Sequence, residues 1–315
     1  MREATDRVHS RLATCRPSRD QTLLAELARL VPPTPPAAAP ARPAMAEGPQ
    51  RAWYDDVHDR KRPRGNEWSP SESVDDGRAW SLSSGAPLVP RCLHKWSSMQ
   101  AYLFEFDLTA YRPLLQRASE VAKPLLKVHP PLGHIYGKPA FMRRNVGFFC
   151  EPGTSYGYFF SGQLAEATPL PPELRHLLAT VNDRFNARYN GILVNYYASG
   201  EDYISDHRDD ELGLDPSVGV LTISYGAERT FRVKEWNHAK NAPHSKKDAL
   251  WISVPTRSCH ALLMAGADFQ KALSHGIPPQ PGAGGRISFT FRVHDKEKEE
   301  ALYDAWVRRQ ESLCM

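Results

Sequence analysis

The stretch YISDHRDDE, Tyr203 to Glu211, holds a histidine, an arginine and four acidic residues in nine positions. Such a cluster suits a kinase-like catalytic loop, a metal site, or a charged turn without chemistry. The kinase reading fails on its neighbours. That loop needs an asparagine five residues after the aspartate and a downstream D-F-G. Position 214 is leucine instead, and Asp268-Phe269 is followed by Gln270. The metal reading does better. His207 and Asp209 flank a single residue, so an extended backbone projects both side chains from one face. An imidazole nitrogen and a carboxylate oxygen are two of the three ligands of the facial triad that holds non-haem Fe(II). His275, in KALSHGIPP, sits at a Gly-Pro bend after an apolar run and is the candidate third ligand. H-x-D alone is a short coincidence, and among 12 histidines a distant one adds little.

RISFTFR (286–292) adds more. Arg286, Ser288, Thr290 and Arg292 alternate with Ile287, Phe289 and Phe291, which gives one polar and one apolar face. Two arginines on an inward polar face are costly unless an anion compensates them, and guanidinium forks match carboxylates bidentately. In LVNYYA, Asn195 and Tyr197 share a face in the same way. Metal ligands, two arginines, an asparagine and a tyrosine suit a dicarboxylate that chelates a metal at one end and is clamped at the other. The competing reading, an exposed strand face with paired surface charges, leaves the ordered run of these parts unexplained.

The elements expected to position these residues are mostly strands. Beyond residue 90, helical spacing is found in 111–127, in PPELRHLLATVNDRF from Pro171, and in the terminal KEKEEALYDAWVRRQ. Aromatics enter with SSMQAYLFEFDL. GILVNYYA, VGVLTISYG, TFRVKEW, ALWISVP, CHALLMAG and RISFTFRV then follow as short strand-like runs separated by Gly, Asp, Pro or Asn. Short strands joined by turns predict an antiparallel sandwich or jelly roll, mainly β with flanking helices.

Residues 1–90 are expected to be a low-complexity, largely disordered arm. The 27 prolines of the 315-residue chain concentrate there, and one short helix fits DQTLLAELARLV. Its cluster Lys61, Arg62 and Arg64 fits a nuclear-localisation or nucleic-acid tether as well as it fits a solvated charge run. A net charge of +4 permits an anionic partner without requiring one. Five scattered cysteines without a C-x-x-C pair suit a reducing compartment. No apolar run approaches the ~20 residues of a membrane span, and the N-terminus has no apolar signal core. A nuclear or cytoplasmic monomer without membrane attachment is expected.

From Gly133 to Val293 the chain resembles the AlkB family of Fe(II)/2-oxoglutarate dioxygenases, in particular its nucleic-acid demethylases. The resemblance rests on IYGK (135–138), YGYFFSG (156–162), NYYASGEDYISDHRDDE (195–211), LTISYGAERTFRV (221–233), LSHGIP (273–278) and RISFTFR (286–292), in family order. It implies a double-stranded β-helix (jelly-roll) domain over 91–295, a nucleotide-recognition lid near 127–165, and a C-terminal helix over 296–315. Fe(II), 2-oxoglutarate and O2 would be used, with His207, Asp209 and His275 on iron. Arg286 and Tyr197 would take the distal carboxylate of 2-oxoglutarate, Asn195 and Arg292 its chelating end, and Asp210 would hold Arg292. Ser288 replaces an asparagine common in relatives and slightly alters the clamp. Glu211 would approach the exocyclic amino group of a damaged base, Tyr158 and Phe160 would wall its pocket beside Ser161, and Tyr136 would fill the gap it leaves in a duplex. The implied activity is oxidative demethylation of N-alkylated bases in DNA, of the 1-methyladenine and 3-methylcytosine type, with RNA second. Lys138, Arg143, Arg144, Lys240, Lys246 and Lys247 are candidates for phosphate contacts. The alternatives are an oxygenase of an RNA modification, a protein or a small molecule, and a non-catalytic reader.

Overall fold

Strand-forming runs dominate the second half of the chain, and the computed structural model shows how they stack. It describes residues 88–135, 138–160, 163–237, 242–243 and 251–313; nearly all of the expected arm, with its basic cluster, lies outside them, as do Lys240, Lys246 and Lys247. The chain opens with β1 (Arg91–Trp96), β2 (Ala101–Asp107) and α1 (Arg112–Ala122). A hairpin of β3 (Pro131–Ile135) and β4 (Lys138–Phe141) precedes β5 (Asn145–Cys150), β6 (Gly157–Phe160), β7 (Gln163–Pro169) and α2 (Pro172–Arg184). Next come β8 (Gly191–Tyr197), β9 (Ile204–His207), β10 (Val220–Gly226), β11 (Thr230–Asn237), β12 (Ala242–Pro243), β13 (Trp251–Pro255) and β14 (His260–Ala265). The one-turn α3 (Phe269–Ala272) leads into β15 (Leu273–Ile277), β16 (Arg286–Arg292) and α4 (Lys296–Leu313).

Nine strands form one sheet in the order β1-β2-β14-β10-β16-β8-β5-β7-β6; a smaller sheet runs β12-β11-β15-β9 with β13 also on β11. Among the described residues every strand pairing is antiparallel except β5 with β7. Two antiparallel sheets with helices at the flanks make the jelly-roll-like, mainly β architecture that the strand pattern predicts. The core between the sheets includes Leu103, Tyr197, Phe231, Val233, Phe269, Leu273 and Ile277, all buried. α1 and α2 cover the other side of the large sheet: Leu114, Leu115, Leu177 and Val181 line one seam with Ile223 of β10. Ile223 stands opposite Phe289, so the apolar side of β16 faces the helices and its polar side is left for the interior between the sheets.

The six strand runs and three helical segments read from the sequence all form. The helix over 111–127 is shorter, because Pro124 has no N–H to continue it and a 3-10 turn, Lys123–Leu125, takes over. His275 departs more from expectation. It lies in the middle of β15 rather than at a bend, since Leu273, His275 and Ile277 alternate onto one buried face. Asp209 lies past the end of β9, so a loop and not a strand carries it inward. Among the described residues no helix is long and apolar enough to cross a membrane.

The link from β8 to β9 contains no helix or strand, and one side chain gathers several of its carbonyls. Arg229, 1% exposed, donates to the carbonyls of Ser199 (3.1 Å), Gly200 (3.3 Å), Asp202 (2.7 Å) and Pro278 (2.9 Å). These contacts pair backbone acceptors that folding has partly or wholly removed from water. Arg229→Met, similar in length but unable to donate, is expected to lower the unfolding free energy by about 3 kcal/mol, measured by urea denaturation.

Candidate active site

Strand register assembles the proposed metal ligands. β9 and β15 pair with His207 directly opposite His275, and the two rings lie 4.4 Å apart. The backbone N–H of Asp209 donates to Gln270 Oε1 at 3.0 Å, so α3 fixes the loop where the carboxylate turns inward. Asp209 Oδ1 lies 3.8 Å from His207 Nε2, and Asp209 Oδ2 lies 3.6 Å from His275 Nε2. One ligand atom from each residue falls within 4.8 Å of the other two, a spacing that a single cation can bridge. His207 Nδ1 sits 2.9 Å from the Ser205 carbonyl, which places its proton there and leaves Nε2 with a free lone pair. Burial, then the neighbouring His207, pushes His275 down to about 3, so its imidazole is neutral at pH 7. Burial alone would raise Asp209, but Arg292 and the two histidines hold it well below the usual carboxylate range.

The polar row of β16 runs beside this triad. Arg286 is 2% exposed; its Nη2 donates to Ser224 Oγ at 2.9 Å and its guanidinium lies 5.2 Å from the centre of the Tyr197 ring. Ser288 stands between Ser224 of β10 and Asn195 of β8 in register. Arg292 Nη2 donates to Asp209 Oδ1 at 2.7 Å, and its guanidinium lies 4.9 Å from the Tyr158 ring centre. In both arginines Nε and Nη1 have no hydrogen-bond partner among the described residues, and neither do Asp209 Oδ2 and Glu211 Oε2. Buried cations with unsatisfied donors are expensive. Two such forks beside a three-ligand cluster fit a divalent cation together with a dicarboxylate.

Tyr158 and Glu211 complete the site. The Tyr158 hydroxyl lies 3.4 Å from Asp209 Oδ1 and 3.2 Å from Glu211 Oε1, and its ring stacks on Phe160 at 5.9 Å. Burial, followed by the nearby Asp209 charge, pushes Glu211 up to about 7. Tyr136 and Ser161 lie outside the described residues.

Two expectations need correction. Asp210 does not hold Arg292: with Asp209 turned in, Asp210 turns out and pairs with Arg208 at 2.6 Å, and Asp209 itself holds Arg292. Arg144, grouped with candidate phosphate contacts, turns inward and donates from Nε to Asn195 Oδ1 at 2.7 Å. Arg208 braces rather than reacts, lying 4.5 Å from the Trp236 ring centre and donating to the Lys271 carbonyl. Sequence reading also passed over Ser224, the side-chain partner of Arg286, and Gln270. The alternation of Thr222 and Ser224 in VLTISYG was the available signal for the first; nothing local marks the second.

The sequence pattern of the 2OG-Fe(II) oxygenase superfamily matches residues 122–292, a span that holds every residue of the triad and the arginine row. The chain is a 2OG-Fe(II) oxygenase. That superfamily uses Fe(II), 2-oxoglutarate and O2, the set that the three ligands and two open guanidinium forks fit. Within that superfamily it is similar to proteins of the AlkB family. It is 27% identical to the DNA oxidative demethylase ALKBH2 of Mus musculus over 183 residues, 58% of this chain and 72% of that protein. With ALKBH2 of Homo sapiens it shares 26% over 159 residues, 50% of this chain and 59% of the relative. With the alpha-ketoglutarate-dependent dioxygenase alkB homolog 3 of Mus musculus it shares 27% over 126 residues, 39% of this chain and 42% of the relative.

Arg286→Gln removes a charged donor from a buried site. It is expected to raise the 2-oxoglutarate Kd of the oxygenase on the order of 100-fold, measured by calorimetry on Mn(II)-loaded protein. Asp209→Ala removes a ligand and the partner of Arg292 together, so Mn(II) binding in the same calorimeter is expected to fall below detection.

Proposed function

We propose that the protein oxidatively demethylates N-alkylated nucleobases of the 1-methyladenine and 3-methylcytosine type in DNA, with RNA as a second substrate. The observation that carries this reading is Tyr158 beside Glu211: an aromatic wall and a carboxyl group 3.2 Å from it, next to the His-Asp-His cluster. A flat ring and a hydrogen-bonding group are what an extruded base requires, and a small aliphatic substrate would use neither. The two ALKBH2 relatives, DNA oxidative demethylases by name, support the same class.

His207, Asp209 and His275 would hold Fe(II). Arg286 and Tyr197 would bind the distal carboxylate of 2-oxoglutarate, with Asn195 and Arg292 toward its chelating end and Ser288 between them. When bound, this pair supplies with O2 the oxidation of an N-methyl carbon, 2-oxoglutarate leaving as succinate and CO2 and the hydroxymethyl group as formaldehyde. Tyr158 and Phe160 would stack against the base, with Ser161 a further candidate contact and Tyr136 the candidate to fill the gap left in a duplex. Glu211, whose Oε2 is unpartnered, would meet the exocyclic amino group. Asn195 is held for its task by Arg144. Extrusion of a base costs a few kcal/mol, least for lesions that already pair poorly. Residues 91–295 would form the catalytic domain with 127–165 as lid, acting as a monomer.

The test is mass spectrometry of methylated single-stranded DNA, duplex DNA and RNA oligomers incubated with the protein, Fe(II) and 2-oxoglutarate. Loss of the methyl mark with formaldehyde release is expected, and His207→Ala is expected to abolish it. Unchanged marks on all three oligomers, with succinate formed from another substrate, would overturn the reading.

A further inference from the structure

The superfamily match ends at Arg292, four residues before α4 begins at Lys296, yet this helix reaches the pocket from beneath. Its Glu299 is 1% exposed. Glu299 Oε2 accepts from Ser155 Oγ at 2.7 Å and from the Tyr156 backbone N–H at 3.1 Å. Ser155 Oγ in turn accepts from the Gly157 N–H at 3.1 Å, so the bonds run to the residue before Tyr158. On its other side Glu299 Oε1 takes the Nδ1 proton of His294 at 2.8 Å, two residues after Arg292. The His294 ring lies 6.3 Å edge-on from the Tyr158 ring and 4.7 Å from that of Phe148. The stem of Glu299 packs on Gly213, two residues after Glu211, where an added Cβ would come within 2.3 Å of Glu299 Cγ.

One buried carboxylate thus sits where three pocket segments meet: the entry to Tyr158, the exit from Glu211 and the exit from Arg292. We infer that Glu299 is a positioning residue for the substrate pocket, setting the Tyr158 ring against Arg292 and its hydroxyl against Asp209 and Glu211. It touches no metal ligand and neither Arg286 nor Tyr197, so its influence is confined to the side of the site that receives the substrate. An ordinary helix dock would need only apolar contacts, such as the Tyr156–Tyr303 stack at 4.3 Å. A carboxylate buried here costs desolvation unless its oxygens are hydrogen-bonded, and both oxygens are bonded to groups that flank the pocket.

The identification of the substrate as a methylated base rests on the proposed function, and the experiment separates the two. Glu299→Ala, Glu299→Gln, Ser155→Ala and Gly213→Ala are compared with the wild type in formaldehyde release from a 1-methyladenine single-stranded DNA oligomer. The 2-oxoglutarate Kd on Mn(II)-loaded protein and amide hydrogen exchange are measured alongside. Glu299→Ala, Ser155→Ala and Gly213→Ala are expected to raise KM for the oligomer by about tenfold, with kcat falling less than about threefold and the 2-oxoglutarate Kd moving less than about twofold. Glu299→Gln is expected to stay within about threefold of wild type: its carbonyl can accept from Ser155 and Tyr156, and its amide can donate to His294 once that ring carries its proton on Nε2. Faster exchange is expected in 151–160 and 211–214, not in 286–292. An unchanged KM in these variants, or a parallel loss of KM, kcat and 2-oxoglutarate affinity that follows thermal stability, would overturn the inference. Should Glu299→Ala fail to fold, Ser155→Ala decides. If the wild type releases no formaldehyde, the base reading fails, and the exchange pattern alone decides Glu299: a uniform or absent change overturns it.

Discussion

A strand that buries charge on one face and phenylalanine on the other sets the terms for this protein. All seven residues of β16 are buried, so the polar row from Arg286 to Arg292 cannot be relieved by solvent. Desolvation of two guanidiniums must be met by neighbours, and the sheets supply only part of what is needed. Ser224 meets one nitrogen of Arg286 and Asp209 meets one of Arg292, while four other nitrogen atoms stay open. A folded chain tolerates such a deficit where a ligand removes it. The binding site is therefore not an addition to a finished core but the unfinished part of it.

Asp209 carries the heaviest load. It lies between two imidazoles and Arg292, and its low affinity for protons follows from that company rather than from exposure. The same charge helps to push Glu211 up toward neutrality, so two carboxyl groups two residues apart behave differently. The pair β9–β15 brings the histidines together, but the acid arrives by way of a loop braced by Gln270 and Arg208. Strands hold two of the candidate ligands and a braced loop holds the third.

The substrate side is built with less regular structure. Tyr158 comes from a short strand near the edge of the large sheet, Glu211 from a loop, and Arg292 from the end of β16. Segments of this kind are the least constrained by a hydrogen-bonded ladder. A buried carboxylate from a helix beyond the superfamily span, Glu299, bonds to or packs against segments that flank all three.

Much of this was legible in the residues. Alternation in 191–197 and 286–292 declares which side chains share a face, because a strand has a period of two wherever it lies. The same period carried the arginine row, whereas the H-x-D spacing marked His207 and Asp209 although a loop, not a strand, brings Asp209 inward. His275 as a strand residue was also within reach, since Leu273 and Ile277 flank it at the right period. What local pattern could not determine was every choice between adjacent candidates. Asp209 or Asp210 for Arg292, Arg144 inward or outward, Ser224 under Arg286 and Glu299 under the pocket each depend on partners 51 to 144 residues away in the chain, whose proximity only packing creates. The sequence by itself determined the chemistry and the sheet that bears it; the tertiary structure decided which charge neutralises which, because burial and distance, not spacing along the chain, set the energy of a charge pair.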